Sequence, residues 1–202
     1  MKTAGQILKG KRAVREEMDR LLPKAQSDAL WRKAEARLEG ILKRYEALSG
    51  RVRLHTDHYI FPSAAIYLTL REAGDPATAY AVIENAAIKN STKTGRKIAG
   101  MLRLPGMKRL FVWIWDPMTR KMFASESGFE NVFYPRKKGE YRMDVVACPY
   151  DRYFTQLGCP ELTKIFCAND NRCYGNLPGV EFLRLGTIGT GADRCDFLMR
   201  RV

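Results

Sequence analysis

The hydrophobic pattern of the chain changes its period about two-thirds of the way along the 202 residues. Between Leu30 and Tyr45 apolar residues recur with the 3.6-residue period of an amphipathic helix. Later runs are short, and residues 194–200 alternate between two faces, one of which carries Cys195 and Phe197. Helices followed by strands predict an α+β fold, with N-terminal helices packed on a roughly four-stranded antiparallel sheet interrupted by a helical segment.

The first part of the chain divides into helical segments. We expect two helices within residues 1–50, with Gly50 ending the second and residues 51–57 forming a polar connector. A segment that is apolar almost all round, from Tyr59 to Gly74, predicts a buried helix with Pro62 in its first turn.

The next segments lead towards the sheet. A further helix is expected to reach Leu102, with a break near Gly95. The aromatic run at residues 110–115 fits either a buried helix or a strand, and we favour the helix. We divide the chain into a helical extension at residues 1–50 and an α+β domain at residues 51–202, which together form one compact unit.

Four strands are expected in the second half of the chain. They span residues 131–134, 141–147, 180–185 and 194–200. Turn-forming residues at 135–140 and 187–193 predict two hairpin connections, and the residues from 149 to 176 are predicted to be mostly helical.

The formal net charge of +13 makes an anionic partner worth considering. The basic residues are dispersed rather than gathered in one tract, which argues against a dedicated nucleic-acid partner. The first residues carry no apolar run typical of a signal peptide, and no segment is apolar over a bilayer's width. We therefore expect a cytoplasmic protein with no membrane partner.

All five cysteines fall between residues 148 and 195. An odd number without an export signal favours reduced thiols over a disulfide framework. Their spacing contains no C-x-x-C pair, and His55 and His58 form no H-E-x-x-H motif, so we expect no metal site. We expect the two histidines to act as capping or surface residues.

Cys148 follows a predicted strand and immediately precedes a predicted helix. The positive end of a helix dipole lowers a thiol pKa, so this position suits a nucleophile. The alternative is a small core residue, because free cysteine is among the most buried residue types.

Cys167 and Asp170 stand three residues apart and would share one face of a helix. A carboxylate placed there can act as a general base on water or on the thiol. Asp170 is equally compatible with a cap or a surface position, and Glu161 with a first-turn helix acid.

Residues 187–191 contain a Thr-Ile-Gly-Thr-Gly turn between two predicted strands. Backbone N–H groups in such a turn can form a concave site for a substrate carboxylate, although a plain turn is the simpler interpretation. The chain has no nucleophile elbow, P-loop or dinucleotide fingerprint.

Five stretches together resemble the L-2-amino-thiazoline-4-carboxylic acid hydrolase family, most strongly over residues 144–199. They are Cys148-Pro149-Tyr150, residues 157–162, residues 166–170, residues 180–187 and residues 191–197. The C-terminal pattern is also similar to vinyl-reductase-type ligand-binding domains related to Golgi transport subunits.

The resemblance implies a hydrolase that acts on C–N bonds of a cyclic amidine, opening 2-aminothiazoline-4-carboxylate to a carbamoyl-cysteine without a cofactor. The residues it implies for catalysis are Cys148, Cys167, Asp170 and Glu161. Those implied for binding a small carboxylate substrate are Arg184, Thr187, Arg194, Cys195 and Asp196. The alternative is a non-enzymatic module of the same fold, which binds a small molecule or a protein and offers a helical face for a homodimer.

Overall fold

The computed structural model describes residues 2–202, over which nine α-helices precede and interrupt a four-stranded sheet. The helices are α1 (Ala4–Lys9), α2 (Arg12–Leu21), α3 (Lys24–Arg44), α4 (Gly50–His55), α5 (Phe61–Ala73), α6 (Pro76–Leu102), α7 (Met107–Met122), α8 (Pro149–Gln156) and α9 (Leu162–Tyr174). The strands are β1 (Glu130–Phe133), β2 (Glu140–Ala147), β3 (Val180–Leu183) and β4 (Cys195–Arg201).

The N-terminal region holds three helices where we expected two. Gly50 does not end a helix, as we predicted, because α3 already stops at Arg44 and Gly50 opens α4. Ser49 caps α4 by accepting a hydrogen bond from the Val52 N–H. A serine immediately before a helix is a strong start signal, and here it outweighs the tendency of glycine to end helices.

The polar connector predicted at residues 51–57 is also wrong, because α4 continues through a π-helical turn at Thr56–Ile60 into α5. Several polar side chains of this segment are buried and hydrogen-bonded rather than exposed to solvent. Asp57 is buried and accepts a hydrogen bond of 3.1 Å from Arg53. His55 is buried as well, which overturns its expected capping or surface role, whereas His58 is exposed.

Helix α5 confirms the buried helix, with Pro62 in its first turn and Gly74 at its end. Helix α6 runs without the break expected near Gly95. Gly95 instead gives room for α9, because a Cβ added there would lie 2.7 Å from the carbonyl oxygen of Arg172. The aromatic run is confirmed as helical and forms part of α7.

The sheet has the strand order β1-β2-β4-β3, and all its neighbours are antiparallel. The hairpin between β1 and β2 turns through Gly139, whose φ of 76° lies in the left-handed region that favours glycine. Strand β3 ends at Leu183, two residues earlier than expected. The N–H groups of Leu185 and Gly186 leave the sheet and donate instead to the Asp196 carboxylate.

Two hydrophobic clusters hold these elements together. One joins α1, α2, α3, α5 and α6 to α8 and α9, with Phe61 and Phe154 fully buried. The other packs Val112 and Trp115 of α7 against the sheet. Tyr150 of α8 packs against both clusters. The fold is therefore α+β, as the sequence predicted, while the division at residue 50 stays a prediction.

Among residues 2–202, no helix has both the length and the apolar character that crossing a bilayer requires.

Candidate active site

Helix α9 and the loop between β3 and β4 enclose a small cavity of about 220 Å³. Three residues singled out in the sequence reach it, namely Cys167, Arg184 and Thr187. The remaining lining residues are Lys164, Ala168, Asn171, Leu185, Gly186 and Thr190. The volume lies below the roughly 300–1,000 Å³ that is typical of drug-sized ligands, so the cavity suits a small molecule.

Cys167 has the lowest pKa of the five thiols. A hydrogen bond from the Cys195 thiol lowers the pKa of Cys167 to about 6, although burial opposes this shift. The Gly189 N–H, the Thr187 hydroxyl and the positive charge of Arg184 lower the pKa further. A thiol with this pKa is largely thiolate at neutral pH, which is the nucleophilic form.

Cys195 keeps the proton of this pair. Its thiol is buried on β4, and the hydrogen bond to Cys167 together with burial raises its pKa well above the ordinary value. Its sulfur also accepts the Ile188 N–H at 3.2 Å. The two sulfurs thus divide into a donor on β4 and a thiolate on α9.

Gly189 allows the loop to approach the sulfur of Cys167. A Cβ at this position would lie 2.9 Å from Cys167 Sγ and 3.0 Å from Thr163 Cγ2. Any side chain would therefore push the loop away from α9 and withdraw the N–H that stabilises the thiolate.

The backbone N–H groups of residues 188–191, in the turn at residues 187–191, do not form the carboxylate site that the sequence suggested, because they are already hydrogen-bonded. The N–H groups of Ile188 and Gly189 face sulfur atoms. Those of Thr190, Gly191 and Ala192 donate to carbonyl oxygens within the turn. The anion that this turn holds is a thiolate, which the sequence interpretation did not foresee.

Arg184 is the cationic centre of the site. Its side chain is only 2% exposed, and Nη1 donates to Asp170 Oδ2 at 2.6 Å while Nη2 donates to the Cys167 carbonyl oxygen. Among the described residues, 2–202, its buried Nε has no hydrogen-bond partner. A buried donor without a partner is costly.

Asp170 acts on Arg184 and does not line the cavity. Burial raises the pKa of Asp170, and the Arg184 guanidinium opposes this shift. Asp196 lies outside the cavity as well, with its carboxylate accepting the backbone N–H groups of Leu185 and Gly186. Burial would raise the pKa of Asp196, but these donors outweigh it and hold the pKa below its usual range.

Three predicted residues are held elsewhere. Burial raises the pKa of Cys148 to about 12, against our expectation, because desolvation outweighs the N–H donors at the start of α8. Glu161 precedes α9 and is tied to Tyr67 and Arg71 of α5. Arg194 is half-exposed and pairs with Asp193 at 2.7 Å and with Asp144 at 3.5 Å.

Sequence reasoning missed Lys164 and Asn171, which line the cavity on either side of Cys167. The signal that reveals them is helical spacing, because residues three before and four after Cys167 lie on the same face of α9. Over residues 2–202, no three His, Cys, Asp or Glu side chains converge closely enough to hold a metal ion.

A sequence profile of the L-2-amino-thiazoline-4-carboxylic acid hydrolase family matches residues 53–199, which is most of the chain. No curated protein and no solved structure matches it. The matched region includes α9, the loop between β3 and β4, and every residue that lines the cavity around Cys167. The chain belongs to the L-2-amino-thiazoline-4-carboxylic acid hydrolase family.

Proposed function

We propose that this protein is a hydrolase that opens a small cyclic amidine carboxylate, of the 2-aminothiazoline-4-carboxylate type, to a carbamoyl-cysteine-type product. The observation that carries the proposal is the position of Cys167, which lines a small cavity together with Arg184 and Lys164. The lowered pKa of Cys167 supports its role as a nucleophile. The family name supports the reaction class.

The carboxylate of the substrate binds to the basic side of the cavity. Arg184 and Lys164 line this side, so both positive charges face the space that the carboxylate would occupy. A hydrogen bond from arginine to a carboxylate is directional as well as charged. It therefore orients the substrate and positions its amidine carbon relative to Cys167. Asp170 orients Arg184 through its hydrogen bond to Nη1.

The reaction begins when the Cys167 thiolate adds to the amidine carbon. The bond from this carbon to the ring nitrogen then breaks, and the ring nitrogen leaves as an amine after taking up protons. Water attacks the same carbon, its oxygen becomes the carbamoyl oxygen, and the thiolate departs from Cys167. The net change is the addition of one water across one C–N bond.

Cys167 suits this role better than Cys148, because the pKa of Cys167 is lowered and that of Cys148 is raised. Glu161 immediately precedes α9 and lies six residues before Cys167, which corresponds to about 9 Å along the helix axis. We therefore assign no proton transfer to Glu161.

The test is turnover of 2-aminothiazoline-4-carboxylate, followed by mass spectrometry of the product, in wild type and in Cys167→Ser. Because serine lacks the thiolate, we expect the variant to lose on the order of a thousandfold or more in kcat. Cys173→Ser is the matched control, since Cys173 is a partly buried thiol of the same helix with a raised pKa and should leave the rate unchanged. Full activity in folded Cys167→Ser would remove this residue from the mechanism.

A wild-type protein that binds the substrate without converting it would support the non-enzymatic module instead. Isothermal titration of wild type and Cys167→Ser with the same compound establishes binding, which is expected in both cases. The turnover assay on wild type then separates the two, because product forms only if the protein is a hydrolase.

A further inference from the structure

A second and larger cavity lies where α7 meets one end of the sheet. It measures about 510 Å³ and lies between α7, the turn that joins β1 to β2, and the end of β4. Five of its lining residues are basic, namely Arg109, Arg136, Lys137, Lys138 and Arg201. None of them belongs to the cavity around Cys167.

The charges of this cavity are mostly uncompensated. Glu140 is its one acidic lining residue, and its carboxylate faces Lys137 at 3.7 Å. Among residues 2–202, the other four cations form no ion pair with a carboxylate. By contrast, Arg120 and Arg200 nearby are both paired with acids. Clustered like charges repel unless an anion binds between them.

Exposed apolar side chains adjoin the basic cavity. Trp113 is 58% exposed and lines it, while Leu110 and Ile114 are 40% and 41% exposed. Residues 110, 113 and 114 share one face of α7, because they are three and four positions apart. Leu104, just before α7, is 60% exposed. We call the four apolar residues Leu104, Leu110, Trp113 and Ile114, together with the five cations, the α7 surface.

A partner for the α7 surface must satisfy both its charge and its apolar side chains. A second copy of the chain would bring two sets of like charges together. A nucleic acid would match the cations and could stack one base on Trp113, but it would leave the aliphatic side chains of Leu110 and Ile114 exposed to water. An anionic bilayer matches both, because its headgroups meet the cations while apolar side chains enter the boundary with the acyl chains.

We propose that the α7 surface docks this protein on anionic lipid membranes. Trp113 and Leu110 enter the headgroup region, and Arg136 and its neighbours in the β1–β2 turn contact lipid phosphates. A docked helix lies in the plane of the surface, so the proposal is compatible with the absence of a spanning helix in the described chain. It departs from our sequence-based expectation of no membrane partner, because the sequence does not show that these dispersed basic residues meet on one surface.

The test is co-sedimentation of the full chain with phosphatidylcholine vesicles, with and without about one-third phosphatidylglycerol. We expect binding to the anionic vesicles only, weakened at high salt. Trp113 is a built-in probe, and its fluorescence should shift to the blue on binding. In Trp113→Phe the shift should disappear while most of the binding remains. Equal binding to both vesicle types, or no binding to either, would overturn the proposal.

Variants locate the contact on the protein. Charge reversal at Arg136, Lys137 and Lys138 together should weaken vesicle binding at least about tenfold. The matched control reverses Arg32, Lys33 and Lys43, three exposed cations of α3. It changes the net charge equally and should weaken binding much less. Comparable losses in the two triple variants would show that only net charge matters and would overturn the docking site.

The apolar part of the surface needs its own control. Leu110→Ser with Ile114→Ser should reduce binding, whereas Leu21→Ser with Leu54→Ser, two exposed leucines outside the α7 surface, should not. Two further results would contradict the membrane assignment. One is tighter binding to a single-stranded oligonucleotide than to anionic vesicles, and the other is a dimer that dissociates in the Leu110→Ser, Ile114→Ser variant.

Discussion

At the scale of single residues, the candidate site is decided by which sulfur of a pair holds the proton. Cys195 is buried and Cys167 is partly buried, and the pKa of Cys167 is lowered while that of Cys195 is raised. Cys167 accepts a hydrogen bond from Cys195 and is supported by Gly189 and Arg184. The difference between two chemically identical groups thus comes from their donors.

The pH dependence of alkylation tests this assignment. Cys167 should react with iodoacetamide at a rate that rises with pH through a midpoint of about 6, because the thiolate is the reactive form. Cys148 should stay unreactive at neutral pH, since burial raises its pKa to about 12. Mass spectrometry of the digested protein locates the label. A midpoint for Cys167 near the ordinary thiol value of 9.0 would contradict the assignment.

Gly189→Ala should disable the site without unfolding the protein. The new methyl group would meet Cys167 Sγ at 2.9 Å, so the loop must move and the Gly189 N–H no longer reaches the sulfur. We expect the midpoint of Cys167 alkylation to rise towards 9 and turnover to fall by about tenfold or more. Gly40→Ala is the control, because a Cβ there has no neighbour within 4 Å.

Arg184→Lys should separate binding from chemistry. Lysine keeps the positive charge but loses the planar donor set that contacts Asp170 and the Cys167 carbonyl. We expect KM for the thiazoline carboxylate to rise about ten- to a hundredfold, with a smaller change in kcat. An unchanged KM would show that the carboxylate does not bind at Arg184.

At the scale of elements, α9 owes its position to the absence of a side chain on α6. The backbone of α9 passes Gly95 so closely that a Cβ would lie 2.7 Å from the Arg172 carbonyl and 3.1 Å from that of Cys173. The sequence suggested a helix break at this glycine, because a lone sequence does not show which helix crosses it.

Paired substitutions within α6 test this contact. Gly95→Ala should lower the free energy of unfolding by about 1–3 kcal/mol, because backbone atoms cannot move aside easily. Gly100→Ala, in the same helix with no neighbour within 4 Å, should raise it by about 0.5–1 kcal/mol. Urea unfolding measures both, and a stabilising effect of Gly95→Ala would show that the two helices are not in close contact.

The elements that the sequence predicted correctly are those with a strong local signal. Alternation identified β4, and Pro62 and Gly74 marked the two ends of α5. The connector at residues 51–57 was misassigned because its polar residues are buried by partners distant in sequence, such as Tyr150 and Met122 around His55. Local composition contains no information about those partners.

The candidate site was predictable to a similar degree. Cys167, Arg184 and Thr187 came from the motif spacing, and all three line the cavity. Of the two interpretations offered for Cys148, the raised pKa favours the small core residue over the nucleophile. The sequence could not decide between them, because desolvation depends on the completed tertiary structure and not on position before a helix.

At the scale of the whole molecule, His55 links the helical part to the sheet part. Its Nε2 lies 3.1 Å from the carbonyl oxygen of Met122 at the end of α7, so Nε2 carries the hydrogen. Nδ1 then accepts from the hydroxyl of Tyr150, which packs against both hydrophobic clusters. The ring also meets Phe129 edge-on.

This neutral histidine should make stability fall in acid. Burial lowers the pKa of His55 below 6.5, so the unfolded chain takes up the proton first as pH falls. The free energy of unfolding should decline below pH 6.5, by at most about 1.4 kcal/mol per pH unit from this group. His55→Gln should flatten that decline, while His58→Gln, at an exposed position, should keep it. Parallel curves for wild type and His55→Gln would contradict this.

The Arg184 guanidinium has a consequence for how binding and reactivity depend on each other. The same positive charge lowers the pKa of Cys167 and holds Asp170. An anion bound in the cavity beside Arg184 would neutralise part of that charge, so occupancy of the cavity makes the thiolate more basic and a stronger nucleophile. By thermodynamic linkage, protonation of Cys167 must strengthen anion binding by the same factor. The charge of Arg184 thus couples anion binding in the cavity to the nucleophilicity of Cys167.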